Sequence, residues 1–275
     1  MNTIEVKQIS NQTQLKQQNE AQKKQTITEL EERLVREAVN AIKETKQAIS
    51  AIENKDKEAT IKAIERAIGQ LDVILARDPD LALVPTDYAI AVVDTAPRQR
   101  KSIKDIRKEI KATINSGDFS HARQFLNSLA SEIRVTVTNL PLATYPAALK
   151  RAVRLIDEDK NESAKGVLQL ALATLVLIEE YLPIPILKAR TLIQNASTES
   201  DRDRAMQLLA GARSQLKLSQ DLGYAEGDSE YEELRIELKN LEKQLKTNEN
   251  TKNAFAKLKT KITSFFQRIS KNKKQ

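Results

Sequence analysis

Few side chains in this sequence could carry covalent or metal chemistry. The 275 residues include no cysteine, which excludes disulfides, thiolate metal sites and cysteine nucleophiles. The one histidine, His121, would have to serve in any Ser-His-Asp arrangement, and one histidine cannot build a histidine-rich metal site. His121 lies in the sequence DFSHARQF, beside a predicted apolar helix face, and general-base catalysis there would still need an orienting partner and a pocket. We expect His121 to have a structural or surface role.

Acidic residues and glycines form no catalytic pattern either. The runs Glu179-Glu180 and Asp157-Glu158-Asp159 lie at predicted helix ends, and adjacent residues of a helix point in different directions, so these carboxylates do not converge as a dyad. The six glycines are isolated, and no nucleotide-binding motif can be written through them. We predict that the protein is not an enzyme, and we expect no cofactor and no metal site.

The C-terminal tail has the most ordered chemical pattern of the chain. Residues 251–275 contain eight Lys or Arg and no Asp or Glu, so the overall charge of +7 leaves the first 250 residues at −1. On a helical wheel the apolar side chains of this tail lie within an arc of about 100°. These residues are Phe255, Leu258, Ile262, Phe265, Phe266 and Ile269. Cationic residues lie on the opposite side, at Lys257, Lys261, Arg268 and Lys271.

This pattern is typical of a helix at an interface, and several contacts fit it. An anionic membrane surface would take up the Phe and Ile side chains and attract the cations. Alternatively, the apolar face docks on the protein's own core or on a partner subunit while the lysines stay solvated. Nucleic acid is an unfavoured partner, because it would not require so ordered an apolar face. Self-association and the binding of client proteins are also open.

The remaining chain must supply the scaffold, and its hydrophobic periodicity is mostly helical. Apolar residues recur at steps of three and four from Thr26 to Ile52, from Ile61 to Leu75 and from Ile103 to Ile114. The polar turn NSGD then separates the last of these stripes from another that begins at Phe119, which predicts a helical hairpin. We predict a mainly α fold of packed helical hairpins with a C-terminal amphipathic helix.

Two segments break the helical period. The sequences YAIAVVDT (88–95) and EIRVTVTN (132–139) are rich in β-branched residues that alternate with polar ones. Because an isolated strand leaves its backbone polar groups unpaired, we predict that the two segments pair as a small two-stranded ribbon. The dense apolar run VLQLALATLVLI (167–178) is too short to span a bilayer, and we interpret it as a core helix buried on all sides.

Composition divides the chain further. Residues 1–26 are a polar, Gln-rich lead-in that we expect to be disordered. They include no apolar run of signal-peptide length. We therefore expect a cytoplasmic protein that could contact the inner face of the membrane. We predict a helical domain over 27–224, an amphipathic helix over 228–247 and a basic tail helix over 251–275. Prolines that interrupt apolar helices could leave a pocket or form a structural junction. The residues concerned are Pro141, Tyr145, Pro146, Tyr181, Pro183 and Pro185.

Four segments carry a family resemblance. They are LARDPDLALVPTD (75–87), LASEIRVTVTNLPLATYPAALKRAVRLID (129–157), LQLALATLVLIEEYLPIPILKARTLI (168–193) and ARSQLKLSQDLGYAEGD (212–228). In this order they resemble the YfdX family of bacterial proteins, and the similarity extends over about residues 28–270. The sequences LPLATYPAA and LPIPIL are its specific part.

The resemblance implies a helical protein linked with bacterial tolerance of heat and acid, and it carries no catalytic residues. We therefore expect a non-enzymatic stress-tolerance protein that acts by binding protein, membrane or ligand. The alternatives are a small-molecule or lipid binding module, with a cavity rimmed by Tyr145 and Tyr181, and a peripheral membrane protein attached by its basic C-terminal helix.

Overall fold

A computed structural model describes residues 20, 23–24, 26–28, 30–97, 99–247 and 250–271, with the backbone alone for Lys271. The predicted lead-in, residues 1–26, therefore falls almost wholly outside the described residues. The chain divides into two compact units. The hairpin unit consists of the described residues of Gln25–Ala89 and Thr136–Glu179, and the C-terminal unit consists of the described residues of Met1–Lys24, Ile90–Val135 and Glu180–Gln275.

The described chain is mainly α-helical, as predicted. In chain order its helices are α1 (Arg36–Glu53), α2 (Lys57–Arg77), α3 (Arg100–Asn115), α4 (Phe119–Asn127), α5 (Tyr145–Asp157), α6 (Asn161–Ala173), α7 (Ile184–Thr198), α8 (Arg202–Asp221), α9 (Ser229–Lys246) and α10 (Lys252–Lys271). The strands are β1 (Leu83–Asp94), β2 (Ser131–Pro141) and β3 (Val176–Pro183). The helices α9 and α10 correspond to the two predicted C-terminal helices, and both belong to the C-terminal unit.

Two helical hairpins, α1–α2 and α5–α6, build the hairpin unit. The Asp56 carboxylate accepts a hydrogen bond from the Ala59 N–H at 2.9 Å and so caps α2 at its first turn. Large apolar side chains of three helices are completely buried where the hairpins pack: Ile64, Leu71, Leu149 and Leu168. Burial of each such side chain contributes about 1.5 to 3 kcal/mol, so this apolar packing accounts for the association of the two hairpins.

In the C-terminal unit α7 contacts both α8 and α10, while α9 contacts α8 and α10. The ring centroids of Tyr231 and Phe265 lie 6.3 Å apart, within the usual range for an aromatic pair. Both of these side chains are fully buried. A smaller cluster of Ile103, Ile110 and Leu129 joins α3 to the segment before β2.

The three strands form one antiparallel sheet in the order β1-β2-β3. The predicted pairing of 88–95 with 132–139 is confirmed, because β1 and β2 are neighbours and cover these segments. In the hairpin unit the Thr86 Oγ1 donates to the Thr138 carbonyl at 3.0 Å. In the C-terminal unit the Thr95 N–H donates to the Ala130 carbonyl at 2.9 Å. Each of the three strands has residues in both units.

The third strand corrects the interpretation of residues 167–178 as one buried helix. Helix α6 ends at Ala173, where the Thr174 side chain donates to the Ala171 carbonyl at 2.7 Å, and β3 begins at Val176. Leu170 and Leu177 are each 65% exposed, so the run is not buried on all sides. The second edge of β2 needs backbone partners, and β3 supplies them in place of a further helical turn.

Candidate functional site

The apolar face of the tail is buried within the C-terminal unit. Five of its six residues belong to the core, and Ile269 is half-buried: Phe255, Leu258, Ile262, Phe265 and Phe266 are the buried ones. Of the contacts considered for the tail, the structure shows its apolar face docked on the chain's own core. A membrane contact through the same face would require α10 to leave that core.

The cations of the tail are tied to carboxylates of the same unit. Lys257 Nζ lies 3.0 Å from Glu237, and Lys261 Nζ lies 2.8 Å from the same carboxylate. Arg268 Nη2 donates to both carboxylate oxygens of Asp228, at 2.8 and 2.7 Å. The side chain of Lys271 lies outside the described residues. These ion pairs fix the orientation of α10 against α9.

The six residues predicted to line a pocket or junction are divided between the two units, three in each. Tyr145 is fully buried in the hairpin unit, where its hydroxyl donates to Thr45 Oγ1 at 3.0 Å. Pro141 and Pro146 are half-buried in the same unit. Tyr181, Pro183 and Pro185 belong to the C-terminal unit, and the two prolines are buried at the start of α7. The cavity rimmed by Tyr145 and Tyr181 stays a prediction, and the structure shows Tyr145 as a fully buried core side chain.

Tyr181 and Pro183 line a cleft of about 440 Å³ in the C-terminal unit, which we call the Tyr181 cleft. Its polar lining residues are Asn127, Glu132, Arg134, Tyr181, Tyr224, Asp228 and Arg268. Its other lining residues are Leu126, Leu129, Ala130, Pro183, Leu222, Gly223 and Ile269. The volume suits a small organic molecule.

Glu132 is the buried centre of the polar groups in this cleft. Its side chain is only 5% exposed. One carboxylate oxygen accepts from Arg134 Nε at 2.8 Å, and the other accepts from the Tyr224 hydroxyl at 2.9 Å. The same Tyr224 oxygen accepts from the Ser131 N–H at 2.9 Å. Because both carboxylate oxygens of Glu132 are engaged, the positions of Arg134 and Tyr224 are fixed before any ligand binds.

A helix terminus places Tyr224. Helix α8 ends at Asp221, and Gly223 adopts a φ of +93°, a left-handed conformation that residues with a Cβ rarely adopt. The Gly223 N–H donates to the Gln220 carbonyl and the Tyr224 N–H donates to the Ser219 carbonyl, both at 3.0 Å. This Schellman pattern turns the chain back toward β2. Burial raises the pKa of the Tyr224 phenol, so that the hydroxyl stays protonated and donates to Glu132.

The two arginines of the cleft keep unused donors. The Arg134 guanidinium lies 5.9 Å from the centre of the Tyr181 ring, a cation–π distance. Among the described residues, only Nε of Arg134 has an acceptor, and Arg268 uses Nε and Nη2 but not Nη1. In contrast, the oxygens of Glu132 and Asp228 are all occupied by donors of the protein. The cleft therefore offers spare donors beside apolar walls, and it fits a ligand with acceptor oxygens and an apolar body.

The hairpin unit has a larger groove of about 740 Å³ along α1. Its charged lining residues are Lys43, Lys46 and Asp87, and the other lining residues are apolar or uncharged polar side chains. None of these three belongs to the buried residues. The Tyr181 cleft is the better candidate site because a buried carboxylate orients its polar groups.

His121 has the structural role expected of it. It is exposed on α4, where the Asp118 carboxylate accepts from the His121 N–H at 3.1 Å and lies 2.6 Å from its Nδ1. Asp118 thereby caps the helix, and the hydrogen bond from the His121 backbone, followed by that from its side chain, lowers the pKa of this carboxyl group. Over the part of the chain that the structure describes, no group of three acidic or histidine side chains could hold a metal ion.

Sequence reasoning missed Glu132, Arg134, Tyr224 and Asp228 as site residues. Glu132 and Arg134 are two residues apart on β2, and this spacing places them on one face of a strand. That signal could have been found in the sequence EIRVTVTN. Tyr224 and Asp228 lie about 90 residues further along the chain. Nothing local shows that they meet the strand.

A comparison with protein-family models agrees with the resemblance. No curated protein matches the chain. A solved structure of YfdX from Salmonella Typhi is similar to it at 14% identity, with a TM-score of 0.39, over 55% of this chain and 93% of that one. No described helix is both long and apolar enough to cross a membrane. The family model described as YfdX protein matches residues 41–181, more than half of the sequence. The chain belongs to the YfdX family.

Proposed function

We propose that this protein is a non-enzymatic, cytoplasmic binding protein of bacterial heat and acid tolerance, and that its Tyr181 cleft binds a small molecule. The stress role rests on the family resemblance. The binding site rests on one observation, the unused arginine donors of a cleft with apolar walls in which both carboxylates already have donors of the protein.

The ligand class follows from these unused donors. A carboxylate or a similar group with acceptor oxygens can accept from Arg134 without displacing Glu132, since the terminal nitrogens of Arg134 have no acceptor among the described residues. A planar or aromatic body can lie against Tyr181 and the leucines of the wall. An aromatic carboxylate combines both features.

The raised pKa of Tyr224 argues against this phenol as a base or nucleophile. A tyrosine that acts as a base or nucleophile needs a lowered pKa, whereas burial raises the pKa of Tyr224. The phenol therefore serves as a donor that holds Glu132 in place. Protection against stress would then be stoichiometric rather than catalytic.

A thermal-shift screen of the full chain tests binding. Aromatic carboxylates and their neutral methyl esters are compared on the wild type, on Arg134→Gln and on Arg66→Gln. Arg66 is a matched control, because it pairs with Glu44 in the hairpin unit at 2.7 Å. We expect a carboxylate to raise the Tm of the wild type and of Arg66→Gln but not of Arg134→Gln. Equal midpoints with and without every compound would contradict the proposal.

A deletion strain tests the stress role separately. We expect it to survive heat and acid less well than its parent, and we expect wild-type protein to restore survival better than Arg134→Gln. If the deletion strain tolerated both stresses like its parent, the stress role would be lost while binding at the cleft could still be measured.

A further inference from the structure

A second cleft of the C-terminal unit has a purely basic charge pattern. It measures about 460 Å³ and is lined by Arg100, Ala210, Arg213, Ser214, Lys217 and Arg235. We call it the Arg213 cleft. Four of these six residues are cations and none is acidic. They come from the first turn of α3, from α8 and from α9, so the concentration of charge is a product of the fold.

Buried carboxylates hold these cations in place. Asp221, which is 8% exposed, pairs with Arg100 and lies 3.5 Å from Lys217 Nζ. Glu242, also 8% exposed, accepts from Arg213 Nη1 at 3.1 Å. A buried carboxylate beneath a half-exposed guanidinium fixes the orientation of the guanidinium. The cationic groups are therefore ordered in advance.

Each arginine still has donors for a ligand. Among the described residues, Arg100 uses only Nε, Arg213 uses only Nη1 and Arg235 uses only Nη1. Their side chains are 53%, 58% and 48% exposed. In addition, α3 begins at Arg100 with no acidic residue in its first turn, so the positive end of that helix adds to the local potential.

The unused guanidinium donors, and not the net charge, indicate the kind of anion. Three carboxylates, those of Asp221, Glu242 and Glu232, partner the four cations, which leaves one net positive charge besides the helix end. Several linked oxyanions can accept from different arginines at once, and the planar fork of a guanidinium matches phosphate oxygens. We propose that the Arg213 cleft binds a polyphosphate, an anion with two or more linked phosphoryl groups.

This proposal does not depend on the function proposed above, because the two clefts share no lining residue. Inorganic polyphosphate and the phosphate chain of a nucleotide present the same chemistry. Isothermal titration of the full chain with tripolyphosphate, pyrophosphate, orthophosphate and a nucleoside triphosphate separates these sources. We expect affinity to increase with the number of phosphoryl groups and to fall as salt increases.

A pair of double variants distinguishes binding at the cleft from attraction to the overall positive charge of the chain. Lys217→Gln with Arg235→Gln removes two cleft cations and leaves the Arg100–Asp221 and Arg213–Glu242 pairs intact. Lys108→Gln with Lys111→Gln removes the same charge from exposed positions of α3 that do not line the cleft. We expect tripolyphosphate to bind the first variant about tenfold more weakly than the second, since each charge-assisted hydrogen bond is strong.

Two results would overturn the proposal. One is equal affinity of the two variants for tripolyphosphate, which would mean that only net charge matters. The other is binding of orthophosphate as tight as that of tripolyphosphate. A nucleoside triphosphate that binds more tightly than tripolyphosphate supports the site and identifies a nucleotide as the source of the phosphate chain.

Discussion

The two units of this protein differ in what they bury. Among the described residues, the polar groups buried in the hairpin unit are uncharged, as at Thr45 and Asn139. The C-terminal unit buries the carboxylates of Glu132, Asp221 and Glu242. A buried charge is costly unless it is paired, and each of these carboxylates is paired with an arginine at the surface. Among the described residues, the C-terminal unit places buried carboxylates beside its two clefts, whereas the hairpin unit buries only uncharged polar groups, and this difference is why we propose binding in the C-terminal unit.

Removal of α10 should have the largest effect. A chain that ends at Asn250 loses five buried apolar side chains, each with a cost of about 2 to 5 kcal/mol, and their sum is comparable to or larger than the usual stability of a domain. We expect the rest of the C-terminal unit to lose hydrogen-exchange protection. If the truncated chain melted like the full one and lost only its binding to anionic liposomes, α10 would be a membrane anchor and not a core helix.

A smaller effect is expected from Asp221→Asn. The substitution removes the charge that pairs with Arg100 and Lys217, and it should lower the free energy of unfolding by about 2 kcal/mol. Denaturant titration at neutral pH measures this loss. Lys108→Gln is the control, and it should leave the unfolding midpoint unchanged.

The same residue predicts a dependence on acid. Burial alone would raise the pKa of Asp221, but Arg100 and Lys217 lower it below its ordinary value of 3.8. Because the pKa of Asp221 is lower in the folded state, its ionised carboxylate stabilises the folded protein above pH 3.8. This stabilisation is lost as the pH falls through the pKa of the folded state. The wild type should therefore lose stability more steeply below about pH 4 than Asp221→Asn does. Parallel curves would show that Asp221 is not a stabilising pair.

Tyr145→Phe tests the core of the hairpin unit. It removes the hydroxyl that donates to Thr45, which should cost about 1 kcal/mol. Thr45→Val and the double variant complete a cycle, and a coupling energy near zero would contradict the contact. Burial raises the pKa of Tyr145 to about 12, so stability in the wild type should also fall as pH rises from 10 to 12.

Arg235→Gln should have the smallest effect on stability. Arg235 pairs with Glu232 three residues before it on α9, and both side chains are about half-exposed. Such surface pairs contribute about 0 to 1 kcal/mol. A loss comparable to that of Asp221→Asn would show that the cations of the Arg213 cleft serve mainly to stabilise the unit.

The sequence predicts much of this fold and less of its sites. Apolar steps of three and four predict the helices, and β-branched alternation predicts β1 and β2. The segment that becomes β3 continues an apolar helical run, and a short apolar run does not distinguish strand from helix. The stripe at Phe265 has the same pattern whether it docks on a core or a membrane, so only tertiary packing decides. Neighbouring prolines indicate Tyr181, whereas Glu132 and Tyr224 meet through contacts more than 90 residues apart.

The most direct test of binding at the Tyr181 cleft is amide hydrogen exchange of the protein, measured with and without the carboxylate that gives the largest thermal shift. In the wild type, bound ligand should slow exchange at residues 126–134 and 222–228 and leave exchange in α1 unchanged. In Arg134→Gln, the same compound should slow exchange at neither 126–134 nor 222–228. Protection of α1 along the groove of the hairpin unit, with none at 126–134, would contradict this location of the binding chemistry.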